Sequence, residues 1–202
     1  MKTFLSKQAK YQGNLGNGLG SARLTPCLLG ALLGLGFVGS AIAATVKPIV
    51  PEKLQVSPGE ELLFKASAQG AQIYTCKAND KNKFAWTFKA PEAYLFDDRG
   101  MKIIHHYGGP SWEYLDKSKV KAKVKAKVGA PDPTAIPWLL LEVTSHEGRG
   151  MMSNVTSIQR LNTSGGLAPT TTCNASNAGK EIGVGYEADY YFYGSTTVQG
   201  LW

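Results

Sequence analysis

The chain predicts an all-β fold, a single-domain antiparallel β-sandwich or flattened barrel with one disulfide. Three observations predict it. Eight to ten strand-like segments are separated by Gly, Pro and Asx turns. No stretch beyond residue 43 keeps a convincing helical period. Two cysteines, Cys76 and Cys173, remain in a part of the chain that reads as exported.

The export reading rests on residues 1–43. Lys2, Lys7, Lys10 and Arg23 are the only charges there, and an apolar run from Cys27 ends in Ala41-Ile42-Ala43. A basic start, an apolar middle and an A-x-A ending describe a signal peptide cleaved before Ala44. The apolar run is too short and too Gly-rich for a membrane span. No stable span is therefore expected after cleavage, and the expected location is periplasmic or extracellular. The whole chain has a net charge of +7. Without those four cations, 18 basic residues face 15 acidic ones, a net +3. The basic character is thus largely a property of the leader, and nucleic acid is not an expected partner.

Residues 44–58 carry Pro48, Pro51 and Pro58 and read as an extended lead-in. The all-β domain is expected over residues 59–193, with a tail over 194–202. Glu61 to Gln69 reads as a strand ended by Gly70. Gln72 to Lys77 and the run at Phe84, Trp86 and Phe88 read as a hairpin across an Asn79-Asp80-Lys81-Asn82 turn. Its three rings share one face, which predicts core packing, or else a stacking platform. Pro91 is expected to stop the second strand. Met101 to Tyr107 is the next strand, after the turn at Asp97-Asp98-Arg99-Gly100.

From Lys117 to Val128 lysine falls at every second position, which fits a strand with one lysine face and one apolar face. Lys119, Lys121, Lys123 and Lys125 form its basic surface. That surface is either a solvated face that discourages edge pairing or a platform for an anionic partner. Trp138 to His146 is an apolar strand with Leu139, Leu141 and Val143 on one face. Met151 to Asn162 follows, then a polar loop that carries Cys173, with room for a short helix near 174–180. Glu181 to Tyr193 reads as a last strand pair. A Cys76–Cys173 bridge would close a loop of about 97 residues, worth about 4–5 kcal/mol in chain entropy.

Several segments occur together in order: Gln72-Ile-Tyr-Thr-Cys76, Trp86 to Glu92, Leu95-Phe-Asp97, His106 to Glu113, Pro131-Asp-Pro133, Ile136 to Leu141, Gln159 to Thr163, Gly165-Gly166, Cys173, and Ala188 to Tyr193. Jointly they resemble the secreted bacterial and fungal family known as domain of unknown function 3455, over about Pro51 to Tyr193. The resemblance implies export and no assigned activity. Some members carry a malate dehydrogenase label. The residues here give it no support, because there is no glycine-rich strand-to-helix turn and no βα alternation beyond the leader.

The chemistry-bearing candidates are few. His106, Trp112, Glu113 and His146 form the expected ligand-binding set, provided that the turn after Tyr107 meets the turn at His146. No metal and no cofactor are expected; the fallback metal set is His106, Glu113 and His146. Adjacent His105 and His106 must face opposite sides of a strand. No nucleophile elbow is present. Three functions stay open. The first is a non-enzymatic binding module of the cell envelope or an extracellular polymer, with polysaccharide or anionic lipid as partner. The second is a small metal-assisted enzyme with a His/Glu site. The third is a structural or stress-related envelope protein without a small ligand.

Overall fold

The computed structural model describes residues 46–195. The expected leader and its cleavage point, and residues 196–202 of the expected tail, lie outside the described residues. Eight strands follow in chain order: β1 (Glu60–Ala78), β2 (Phe84–Phe96), β3 (Lys102–Tyr107), β4 (Ser111–Tyr114), β5 (Lys119–Val128), β6 (Trp138–Glu147), β7 (Val155–Gly165) and β8 (Glu181–Ser195). Each pairs antiparallel with the next, and β8 returns to β1, so the sheet closes into a barrel. Closure removes the two outer edges that an open meander would have, leaving unpaired only strand ends such as β2 before Ala93. Among the described residues two short 3-10 turns accompany the strands, Glu52–Leu54 in the lead-in and Ala175–Asn177 before β8. No helix among the described residues is long and apolar enough to cross a membrane.

Three expected breaks are absent. Gly70 sits inside the continuous strand β1, directly opposite Ala93. A Cβ there would collide with the Glu92 carbonyl and with Ala93. The glycine therefore permits a close approach of β1 and β2 at a barrel corner and does not end a strand. Pro91 likewise lies inside β2, opposite Gln72 and beside an irregularity at Ile73/Tyr74. Pairing of β2 with β3 begins only at Ala93, so the missing proline N–H falls where no β3 ladder runs. Glu181 to Tyr193 is one strand and not a pair, and it continues through Gly194 and Ser195.

The interior alternates small residues with large rings, which fits a narrow barrel. Ala66, Ala68, Ala93, Ala122 and Ala188 make room for Trp112, Tyr186, Tyr190 and Phe192. Leu141 faces this core with Leu139 and Val143 packed against it, as the alternation of β6 requires. The alternate residues Trp138 and Leu140 face outward. There they form a second cluster with Leu54, Leu161, Tyr191 and Tyr193, which the lead-in covers.

The lysine strand departs from its regular pattern at a bulge. Val124 is opposite Leu141, but Ala126 is opposite Leu140, so Lys125 is the extra residue. Ala126 and Val128 thereby move to the outer cluster. Lys127 comes opposite Leu139, on the other face from Lys123.

The expected disulfide is present: Cys76 and Cys173 are joined, with Cα atoms 5.5 Å apart. Cys76 sits on β1 in the part of the β1–β2 hairpin beyond the barrel wall. Its backbone N–H donates to the Lys180 carbonyl at 2.9 Å, and Trp86 Nε1 donates to the Thr171 carbonyl at 2.8 Å. The ring row is not core. Phe84 and Trp86 are half-buried and Phe88 is 50% exposed, because this arm projects past the end of the barrel.

Two stability measurements check this account. Replacing both cysteines by serine should cost about 4–5 kcal/mol in urea unfolding. Gly70→Ala should cost about 3 kcal/mol or prevent folding. Gly185→Ala, where a Cβ would meet nothing, should stay within about 0.5 kcal/mol of the parent. Equal costs for the two glycines would contradict the close approach at Gly70.

Candidate functional site

The two ends of the barrel differ. At one end Phe64 stacks on Phe192 at 4.5 Å between centroids, Tyr114 packs edge-on to Phe64, and Met152 is fully buried. The other end opens onto a cavity of about 90 Å³. Its floor is an aromatic cluster. His106 and Trp112, cross-strand partners on β3 and β4, stack at 4.1 Å and 11°. Tyr190 meets both edge-on, at 5.4 and 5.9 Å. The wall carries Gln72, Leu139 and Arg160, and Phe88 and Val124 form an apolar rim, each about half exposed.

Register explains this grouping. Leu139, Arg160 and Tyr190 are successive partners across β6, β7 and β8, so they project from one face of the sheet. That face is the barrel interior, which places a guanidinium inside an otherwise uncharged wall. Arg160 Nη2 donates to the Pro137 carbonyl at 2.9 Å. No carboxylate among the described residues forms an ion pair with it.

Among the described residues, four buried side-chain nitrogens lack a partner within hydrogen-bond distance: Gln72 Nε2, Trp112 Nε1, Trp138 Nε1 and Arg160 Nε. Gln72 and Arg160 still lie near enough to the Tyr186 and Tyr190 hydroxyls, respectively, to offset part of the rise in those tyrosines' pKa. Three of the four belong to residues lining this one cavity. All three are donors. Larger surface hollows exist, and in the two largest of them a lining carboxylate is already held. Glu60, beside a groove of about 510 Å³, accepts bonds from Ser57 N–H, Thr156 and Ser157. Asp189, beside another of about 500 Å³, is held by Lys65, Ser67 and Asn162.

The ionisation of the floor follows from burial. His106 is 3% exposed, and its Nδ1 lies 2.8 Å from the Ser111 carbonyl, so Nδ1 carries the proton. Burial pushes its pKa down to about 3, with smaller contributions from the Arg160 and His105 charges. Burial also raises the Tyr186 and Tyr190 hydroxyls above their ordinary range. Arg160 is therefore the only charged group lining the cavity at neutral pH.

The structure brings together His106 and Trp112 from the expected set and separates the other two. Glu113 follows Trp112 and faces outward, bonded to Lys117 at 3.1 Å and Tyr107 at 3.4 Å. His146 is exposed and bonds the Val155 carbonyl at 2.8 Å. It lies three strands from His106, through Trp112 and Val120, roughly 14 Å at the usual strand spacing. The fallback metal set of His106, Glu113 and His146 is thus not assembled. No three His, Cys, Asp or Glu groups among the described residues are placed to hold a metal. His105 is on the outside, against Glu92 at 2.6 Å and between Tyr94 and Tyr107.

The basic surface is largely paired. Lys119 and Lys121 meet Glu147 at 2.6 and 3.6 Å, and Lys123 meets Glu142 at 3.1 Å. Lys119 and Lys123 hold Glu147 and Glu142 below the usual carboxylate range. Gln72, Phe88, Arg160 and Tyr190 were not among the expected site residues. A signal for Arg160 existed: it stands two places from Ile158 on the apolar face of its strand.

The buried His106 makes stability pH-dependent. The unfolded chain takes up its proton near the ordinary value of 6.5, and the folded chain only near 3. Stability from this group is full above 6.5 and is lost as pH falls. Between pH 7 and 5 the loss is about 2 kcal/mol. Urea unfolding over that window should show this slope in the parent and not in His106→Gln. Equal slopes would mean that His106 is not the source.

Searches of curated proteins and of solved structures each found no match. A family profile described as a protein of unknown function (DUF3455) does match, over residues 57–194, which takes in the whole barrel except Ser195. The order of motifs that resembled this family lies within that span, and the chain belongs to the DUF3455 family.

Proposed function

We propose that this protein is an exported, non-enzymatic binding module whose ligand enters the open mouth of the barrel. One observation carries the reading: three buried donors without partners belong to residues around a single cavity. Leaving such a donor unpaired costs about 1–3 kcal/mol. A chain retains several in one place where an incoming group repays them. The exposed Phe88 and Val124 at the rim supply apolar contact for the part of the ligand outside.

The metal-assisted enzyme, and a binding module that works through its lysine strand instead of its mouth, have less support. Catalysis by His106 would need a carboxylate, nucleophile or metal beside its ring, and its neighbours are the Trp112 and Tyr190 rings and the Ser111 carbonyl that holds Nδ1. An anionic polymer or lipid surface would face a lysine strand already paired to Glu142 and Glu147, which weakens its pull.

Benzyl alcohol and benzoate each join a polar group small enough for the cavity to a ring that can lie on the rim at Phe88, and both serve as probes. Titration of either, followed by two-dimensional NMR of the tryptophan indoles, should shift the Trp112 signal before that of Trp138. Phe88→Ala should weaken the effect severalfold. The mouth reading fails if neither probe moves Trp112. It fails also if Phe88→Ala leaves the shifts unchanged while the protein sediments with phosphatidylglycerol vesicles.

A further inference from the structure

We infer that the barrel mouth selects a carboxylate, taking the acid group of a small organic acid against Arg160, with its apolar body lying over Phe88. This rests on the mouth being the binding site and goes on to name the ligand's chemistry. Charge is the first argument. Arg160 carries a permanent positive charge into a wall of Leu139, Leu141 and Tyr190, and no carboxylate of the described residues balances it. A ligand that supplies one negative charge completes an ion pair which the chain itself leaves half made.

Hydrogen bonding is the second. The unpaired atoms, Gln72 Nε2, Trp112 Nε1 and Arg160 Nε, are all donors. A carboxylate only accepts, and its two oxygens offer about four sites. An amine or ammonium group would bring donors to donors. Arg160 Nε has no partner and Nη2 gives one of its two protons to the Pro137 carbonyl, so the guanidinium keeps donors for a planar carboxylate. His106 stays neutral and the tyrosines stay protonated, so the site offers one positive charge, matched to a monoanion.

Size and polarity are the third. A cavity of about 90 Å³ holds a carboxyl group with a few carbons, and not a whole aromatic ring or a sugar chain. The rim at Phe88 and Val124 is apolar and open. It favours a hydrocarbon or aromatic body over the fully hydrated faces of inorganic sulfate or phosphate.

The test compares sodium benzoate with benzamide, its neutral isostere, and with inorganic sulfate and phosphate. Binding is read by calorimetry and by the Trp112 indole signal. Benzoate should bind at least tenfold more tightly than benzamide, and sulfate and phosphate should not shift Trp112. Arg160→Gln should weaken benzoate at least tenfold and leave benzamide within twofold. Gln72→Leu, which keeps the size and removes a donor, should weaken benzoate severalfold and covers the case in which Arg160→Gln does not fold. Equal binding of benzoate and benzamide, both dependent on Phe88, overturns the carboxylate assignment and leaves the mouth reading standing. Tighter binding of sulfate or phosphate also overturns it. Failure of every probe to reach Trp112 overturns both.

Discussion

The pairing of the first strand with the last is the constraint on which the rest of the molecule depends. β1 and β8 run together from Glu60↔Ser195 to Thr75↔Glu181, with one irregularity between Leu62 and Phe64. These partners are the most distant in the domain's sequence, so their meeting carries the largest loop-closure cost. It is also what turns a meander with two free edges into a closed wall. Closure in turn sets the inner radius, and the radius decides which residues fit. Alanine on one strand answers tryptophan or tyrosine on another, and Gly70 is required where two backbones nearly touch. The Cys76–Cys173 bond acts on the same problem by tying the approach to β8 onto β1.

The barrel is not packed to the same standard along its length. Near Phe64 and Met152 it is filled by packed rings and aliphatic groups, and the buried Ser118 hydroxyl is paired with the Met152 N–H. Near Gln72 it contains a cation, three unpaired donors and a void. Each such donor costs about 1–3 kcal/mol, against a total margin of about 5–15 kcal/mol for a domain. A stretch of chain selected for stability alone would place leucine or phenylalanine there. The contrast between a filled base and an unsatisfied mouth argues for a function at the mouth more strongly than any single residue does.

Much of the fold was legible in the chain because it rests on local pattern. Alternation on β6 gave the inward face of Leu139, Leu141 and Val143. Turn residues marked most strand ends, and two cysteines in an exported-looking chain gave the disulfide. What was missed depends on which strands meet. Gly70 and Pro91 look like terminators locally, and only pairing with Ala93 and Gln72 shows them to be interior to long strands. The bulge at Lys125 leaves no mark in a perfect Lys-Val-Lys-Ala repeat, because it is set by the partner β6. Phe88 has the alternation of a core residue, yet its hairpin outruns the barrel. His106 and Trp112 could be singled out from sequence because they are neighbours across a tight turn. Arg160 and Tyr190 join them only through the closed sheet.

The geometry of β1 also fixes how the domain is held. The barrel begins at Glu60 and ends at Ser195, and these two residues are paired at the same end. Gln72 lies twelve residues further along β1, about 40 Å of strand at the usual rise. Anything joined to either end of the domain, whether a tether, a partner domain or a surface, therefore grips it by the filled base. The opening points the opposite way, clear of any such attachment.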